Sequence, residues 1–262
     1  MQITLKNKTA LVCGSTQGIG LASAKELAKA GARILLLARN SEKLEVICKE
    51  LSVAYPEVDH AYFCADFSNP EEVQKTVTEI TEQYSVDILV NNTGGPQGGP
   101  AHKARAEEYL LAFNNHLINN HQLMQGVIPG MQERGFGRII NIISTSVKQP
   151  LPNLGVSNTI RGAVANWAKT LANELGPYGI TVNNVLPGAT ETFRLTSIIQ
   201  NKATKNRVDE EHITQEMLSE IPAGRFAKPQ ETAWAVTFLA SDCASYINGI
   251  NLPVDGGRTA CL

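Results

Sequence analysis

A chain of 262 residues, 43% hydrophobic and 18% charged, has room for one large α/β domain with a substantial core. Its formal net charge of -2 offers no basic surface for nucleic acid and no cationic face for a membrane. Five cysteines without a C-x-x-C pair exclude a disulfide framework and a zinc knuckle; with no signal-type apolar segment after Met1 and no membrane-length run, they predict a cytoplasmic protein.

The first apolar run, Ala10 to Cys13, reads as a buried strand. It leads directly into Gly14, Ser15, Thr16, Gln17, Gly18, Ile19 and Gly20, and then Leu21, Ala22, Ala24, Leu27 and Ala28 repeat at helical spacing to about Ala30. Strand, glycine turn and helix start aim backbone N–H groups and a helix N-terminus at a phosphate. The G-x-x-x-G-x-G spacing is a variant of the dinucleotide fingerprint. Arg33 to Ala38 is a second strand, and Ser41 is the expected N-cap of a helix from Glu42 to about Ala54. Ala61 to Ala65 forms a third strand ending at Asp66. Asn69 caps the next helix, with Pro70 at its first position. Asp87 to Val90 is a fourth strand, opening into a glycine- and proline-rich loop from Asn91 to Pro100. That loop is too long for a tight turn, which marks it as a functional candidate.

A long helix is expected from about Arg105 to Val127, a fifth strand from Gly137 to Ser144, a helix from Gly155 to Leu175 and a sixth strand from Gly179 to Val185. The segment Thr192 to Ile221 is polar and only weakly helical in pattern. A helix from about Gln230 to Ala240 and a strand from Ile250 to Val254 close the chain. Strands alternating with helices, without linker or repeat, predict a single Rossmann-type domain over 1–262: a doubly wound parallel sheet with helices on both faces. Ligands of such sheets lie beyond the carboxyl ends of the strands. The residues placed there are the glycine turn, Ala38-Arg39, Asp66, Asn91 to Gly95, Ser144 to Ser146, and Pro187-Gly188. No metal site is expected, because His116 and His121 have no accompanying carboxylate cluster.

These motifs in this order resemble the short-chain dehydrogenase/reductase family. The likeness rests on Gly14-x-x-x-Gly18-Ile-Gly20, Asp66, Asn91-Asn-Thr-Gly94, Asn141-Ile-Ile-Ser144, Val185-Leu-Pro-Gly188 with Thr192, Pro222-x-Gly-Arg225, Tyr246-Ile-Asn-Gly249 and Val254-Asp-Gly-Gly257. It is nearest to 3-oxoacyl-carrier-protein reductases, and implies oxidoreduction of a small carbonyl or hydroxyl substrate, such as a 3-oxoacyl thioester, with a nicotinamide cofactor. A carboxylate at the end of the second strand would select NAD(H); this chain has Arg39, whose guanidinium matches a 2′-phosphate, so NADP(H) is expected over NAD(H). Gln17 stands where the family often adds a second cation. By resemblance, Asp66 would bond the adenine amino group, Asn92 and Gly94 would line its ribose, and Pro187, Gly188 and Thr192 would border the cofactor. The plainer readings are a turn or cap carboxylate for Asp66 and turn chemistry for Asn92 and Gly94. The resemblance also implies a substrate lid at 192–221 and a homodimer or homotetramer built through the helices at 105–127 and 155–175 and the segment 230–254.

The active site departs from the family. In the family's spacing from Ser144, the tyrosine of Tyr-x-x-x-Lys falls on Ser157 and the lysine on Arg161, and none of the six tyrosines has a lysine four residues on. A phenol titrates near ~10 and a neighbouring cation lowers that, whereas a serine hydroxyl is far less acidic and shorter. Ser144 would still orient a substrate carbonyl. Arg161, on one helix face with Ser157, would hold the nicotinamide ribose or an anionic substrate group. His116 falls where the family has a relay asparagine, and is either a proton donor or a histidine satisfied by internal hydrogen bonds, or else Asn115 takes the relay role after a one-residue offset. Ser157 and Arg161 also admit plain readings as a packing residue and a solvated charge. Two functions follow: an NADP(H)-dependent oxidoreductase with a rebuilt proton supply, with a water held by Ser157 as the alternative to His116, or a nucleotide-binding pseudoenzyme acting as a sensor or assembly partner.

Overall fold

The strands are near-continuous apolar runs because both of their faces are covered. In a computed structural model describing residues 3–261, seven of them form one parallel sheet: β1 (Thr9–Cys13), β2 (Arg33–Ala38), β3 (Ala61–Cys64), β4 (Ile88–Asn91), β5 (Gly137–Ile142), β6 (Ile180–Pro187) and β7 (Asn251–Val254). Their order is β3-β2-β1-β4-β5-β6-β7, so the winding reverses between β1 and β4 and opens a crevice at the carboxyl ends there. Helices α1 (Gly18–Lys29), α2 (Ser41–Ala54) and α9 (Pro229–Ala240) cover one face, packing Leu27, Leu44, Leu51 and Leu239 onto Val12, Leu36 and Val90. Helices α3 (Pro70–Gln83), α5 (Asn119–Arg134) and α6 (Gly155–Leu175) cover the other, packing Val77, Leu123, Met131 and Leu171 onto Leu11, Leu35 and Leu89. Each buried Leu-sized side chain stabilises the fold by about 1.5–3 kcal/mol.

Local chemistry moves several boundaries. Asn40, not Ser41, is the N-cap of α2: its side chain accepts the Lys43 N–H at 2.8 Å, and its extended backbone places Ser41 already inside the helix. Asn69 caps α3 as expected, with Pro70 first in the helix. The long helix expected from Arg105 to Val127 is interrupted. It consists of α4 (Ala106–Phe113), a π-helical turn at Asn114–Ile118 and α5, which runs on to Arg134 and stops where Gly135 takes a left-handed conformation. Single π turns often mark functional positions, and this one carries His116.

The polar stretch after Thr192 is more ordered than its composition suggests. It forms α7 (Phe193–Asn206), capped by Thr192, and α8 (Glu210–Ser219), capped by Asp209. Leu195, Ile199, Ala203, Ile213 and Met217 close a small core of their own between them.

The register of the sheet also lines up four asparagines. Asn91 pairs with Asn141, Asn141 with Asn184 and Asn184 with Asn251. Their side-chain amides donate in sequence, Asn91 Nδ2 to Asn141 Oδ1 at 2.9 Å, Asn141 Nδ2 to Asn184 Oδ1 at 2.9 Å and Asn184 Nδ2 to Asn251 Oδ1 at 2.8 Å. A buried amide left without a partner costs about 1–3 kcal/mol, so this chain of donors ties β4, β5, β6 and β7 together.

Candidate active site

The glycine turn after β1 is built to be close-fitting. A Cβ on Gly20 would lie 2.2 Å from the Gly14 carbonyl oxygen and 2.7 Å from Asn92 Nδ2, while Gly14 itself has φ +58 and equally little room beside Asn92. Gln17 makes no side-chain cap, so the first N–H groups of α1 have no side-chain partner. This is a cradle of backbone donors at a helix N-terminus, the arrangement a dinucleotide phosphate requires. At the end of β2, Arg39 is exposed and makes no ion pair among the described residues. The residues present therefore fit a phosphorylated dinucleotide.

Several side chains expected to touch the cofactor are committed to the scaffold instead. Ser15 is fully buried, and its hydroxyl donates to the Leu37 carbonyl at 3.4 Å, tying the turn to β2. Asn92 donates to the carbonyls of Cys13 and Gly14 at 3.3 and 3.4 Å, so its amide braces the glycine turn. Gly94, in contrast, has open space where a side chain would stand. One oxygen of Asp66 accepts the Ser68 N–H at 2.9 Å, the turn role, and this bond is the main cause that holds its pKa below the ordinary value, with nearby Arg39 adding to it. Gly188 follows Pro187 at the end of β6 and is a glycine because a Cβ would meet Asp255 at 2.7 Å. Thr192 spends its hydroxyl on capping α7 and on the Thr190 carbonyl at 3.2 Å, and its methyl comes within 3.1 Å of the Cβ position of Gly18. It joins α7 to the cradle by packing.

Beyond β4 and β5 lies a second group. Ser144 stands two residues past the end of β5, half-buried, its Oγ accepting the Ser146 N–H at 3.1 Å. Ser157 and Arg161 occupy the inner face of α6, both buried. Arg161 Nη1 donates to the Ile142 carbonyl at 3.1 Å, while its Nε has no partner. Its pKa falls to about 10, chiefly through burial and secondly through Arg194 nearby, so it remains a cation at neutral pH. His116 is buried in the π turn, with Nδ1 2.5 Å from the Thr93 hydroxyl. Burial first and Arg161 second push its pKa down to about 2. The imidazole is therefore neutral near pH 7, which removes the imidazolium form of the expected proton donor and leaves the internally hydrogen-bonded form. Asn115, the alternative relay residue, has a buried side-chain oxygen without a partner. Cys13, under the cradle, is held inert by burial, its pKa pushed up to about 12.

Sequence reasoning missed Arg194, one residue into α7, whose Nη2 donates to the Pro96 carbonyl at 2.8 Å. It also missed Thr93 as the partner of His116 and the asparagine chain. Only strand register or tertiary contact brings these groups together. Among the described residues there is no cluster of three metal-ligating side chains, and no helix is long and apolar enough to cross a membrane.

A seven-stranded parallel sheet with a glycine cradle at its reversal point, a serine past β5 and a basic residue four beyond Ser157 defines a dinucleotide-binding protein of the Rossmann type. A family model described as enoyl-(acyl carrier protein) reductase matches residues 14–259, and the chain belongs to the short-chain dehydrogenase/reductase family. The 3-oxoacyl-(acyl-carrier-protein) reductase FabG of Vibrio cholerae is 34% identical over 259 residues, covering 97% of this chain and 98% of its own. The NADPH-dependent reductase BacG of Bacillus subtilis is 29% identical over 254 residues, with 97% and 98% covered. Among solved structures, the L-sorbose reductase of Gluconobacter frateurii complexed with NADPH and L-sorbose superposes with a TM-score of 0.93 at 32% identity, over all of both chains.

Proposed function

We propose that the protein is an NADP(H)-dependent oxidoreductase of a small carbonyl or hydroxyl compound. The observation that carries this is the intact glycine cradle with the unpaired Arg39 at the end of β2, positioned for phosphate and 2′-phosphate respectively. The relatives named for NADPH-dependent reduction support the same cofactor. NADPH supplies a hydride, two electrons, to the carbonyl carbon, and a proton must reach the oxygen. Ser144 would donate a hydrogen bond to that oxygen. Arg161 supplies a fixed positive charge that stabilises an alkoxide without titrating. The proton would come from water held near Ser157 or relayed past the Thr93–His116 pair. Ser157 cannot itself replace a phenol as acid.

A second reading has its own support. His116 is neutral and Arg161 does not titrate near neutral pH, so the protein could hold nucleotide as a sensor or assembly partner without chemistry. The experiment that separates the two measures NADPH oxidation with 3-oxoacyl thioesters, diketones and quinones, beside an active family member. Turnover abolished by Ser144→Ala supports the oxidoreductase. Tight NADPH binding with no turnover across the panel supports the pseudoenzyme.

We further propose that α7 and α8 form a lid over the substrate and that the protein pairs with copies of itself. Leu110 and Leu111 on α4, Trp234 on α9 and the fully exposed Tyr246 leave apolar surface on the elements concerned.

A further inference from the structure

Two guanidinium groups converge on one point at the rim of β4 and β5. A Cβ built on Gly95 would lie 3.5 Å from Arg194 Nη2 and 3.8 Å from Arg161 Nη2, with nothing else as near. Neither arginine makes an ion pair among the described residues. Each is held by a backbone carbonyl, Arg161 through Ile142 and Arg194 through Pro96, so the pair is positioned in advance of any ligand. Arg161 is only 6% exposed, and its Nε is unpartnered. Two like charges brought together in a partly buried place destabilise each other unless an anion lies between them. Gly95 leaves the room for one: charge-assisted N–H···O contacts of about 2.7–2.9 Å to both groups would use the volume a side chain there would take.

The position of this pair assigns it to the substrate side. The Ile142 carbonyl that holds Arg161 lies two residues before Ser144, and Arg194 reaches in from α7. The cradle for the dinucleotide follows β1, two strands away from β5 in the sheet. We infer that Arg161 and Arg194 clamp a carboxylate carried by the substrate itself, so that the protein acts on an oxo or hydroxy acid rather than on a neutral ketone or an acyl thioester. This rests on the oxidoreductase reading and deepens it. The lowered pKa of Arg161, to which Arg194 contributes, agrees with two uncompensated cations in proximity. The same chemistry would suit a cofactor phosphate, and the test separates the two.

The test uses the full-length protein and matched pairs: 2-oxo and 3-oxo acids of three to ten carbons, each beside its methyl ester. Binding to the NADP⁺-loaded protein is followed by calorimetry, and reduction by NADPH consumption. The clamp predicts that the best acid binds at least about tenfold tighter than its ester, the scale of one charge-assisted contact. Arg194→Gln, on the exposed lid helix, should bring that ratio toward one while NADPH affinity stays within about twofold. Gly95→Ala removes no charge and meets no backbone, and should lower the ratio in the same way. Equal binding of acids and esters across the panel overturns the inference. So does a loss of NADPH affinity in Arg194→Gln as large as the loss for acids, since the pair then serves a cofactor phosphate. Acid-selective binding without any turnover supports the clamp and sinks the oxidoreductase reading. Turnover that does not distinguish acid from ester does the reverse.

Discussion

The amino ends of β4 and β5 and the crevice at the carboxyl ends of β1, β4 and β5 treat charge in opposite ways. At the amino ends of β4 and β5, charges are paired. Asp87, at the start of β4, accepts the Thr9 N–H at 2.9 Å and bridges to Arg134 at 3.1 Å, and Arg138 on β5 faces Asp242 at 3.6 Å and stacks on Phe136. At the carboxyl ends, Arg39, Arg161 and Arg194 make no ion pair among the described residues, although Arg39 lies close enough to Asp66 to lower its pKa, and the glycine turn before α1 has no side-chain cap. Both ends belong to the same core, so packing does not account for the difference. Paired charge at one end stabilises the fold. Unpaired charge at the other is what the proposed anionic ligands would complete.

The comparison predicts that substitutions at the amino end change stability and leave nucleotide affinity alone. Asp87→Ala strands the Arg134 guanidinium and the Thr9 N–H together, and should lower the unfolding free energy by about 3 kcal/mol in urea melts. NADPH affinity measured at a temperature where the variant is folded should not change. A loss of affinity without a loss of stability would break the contrast.

At the carboxyl end the expectation reverses. Gly20→Ala would force a methyl group against the Gly14 carbonyl and Asn92, displacing the turn. Overpacking of that kind costs up to about 3 kcal/mol, and here it should fall mainly on the cradle, weakening NADPH binding by about 100-fold in a fluorescence titration.

How much of this division was legible in the chain depends on how local each signal is. The glycine turn, the Asn69–Pro70 start and the span of α6 at Gly155–Leu175 are encoded within a few residues and stand as read. The choice between Asn40 and Ser41 as cap was not, because both side chains can cap and only the backbone angles decide. Helices α7 and α8 were under-read because the apolar positions of each are few and meet only when α7 folds onto α8. The asparagine chain needs strand register, and the meeting of Arg161 with Arg194 needs α7 in place. Family likeness named Arg161 without Arg194 beside it, and did not give the bracing bonds that Asn92 and Ser15 make within the fold.

His116 lies between the two regimes, a titratable group made silent by burial. Its folded pKa of about 2 is below the ordinary 6.5, so in mild acid the unfolded chain takes up a proton that the folded protein refuses. Its contribution is flat above about pH 6.5, and stability declines as pH falls below it. Between pH 7.5 and 5.5 this amounts to about 1.4 kcal/mol, measured as the difference between the wild type and His116→Asn in urea melts at both values. Parallel losses in the two proteins would mean that the imidazole is not held neutral, and the proton-donor role would return.

The smallest effect sharpens the contrast most, because it concerns a charge with no structural duty. Arg39 is exposed, makes no ion pair and packs into neither core cluster, so its removal should leave the melting curve where it is. An exposed guanidinium facing a phosphate is worth about 1 kcal/mol, so Arg39→Ala should weaken NADPH about fivefold. NADH, lacking the 2′-phosphate, should bind the variant and the wild type alike, so that the preference between the cofactors falls by the same factor. The difference should shrink as salt is raised, since an exposed charge is screened over about 10 Å at 0.1 M ionic strength. If instead both cofactors weaken equally, Arg39 supports the adenosine by contact rather than by charge, and the carboxyl end selects its nucleotide through shape.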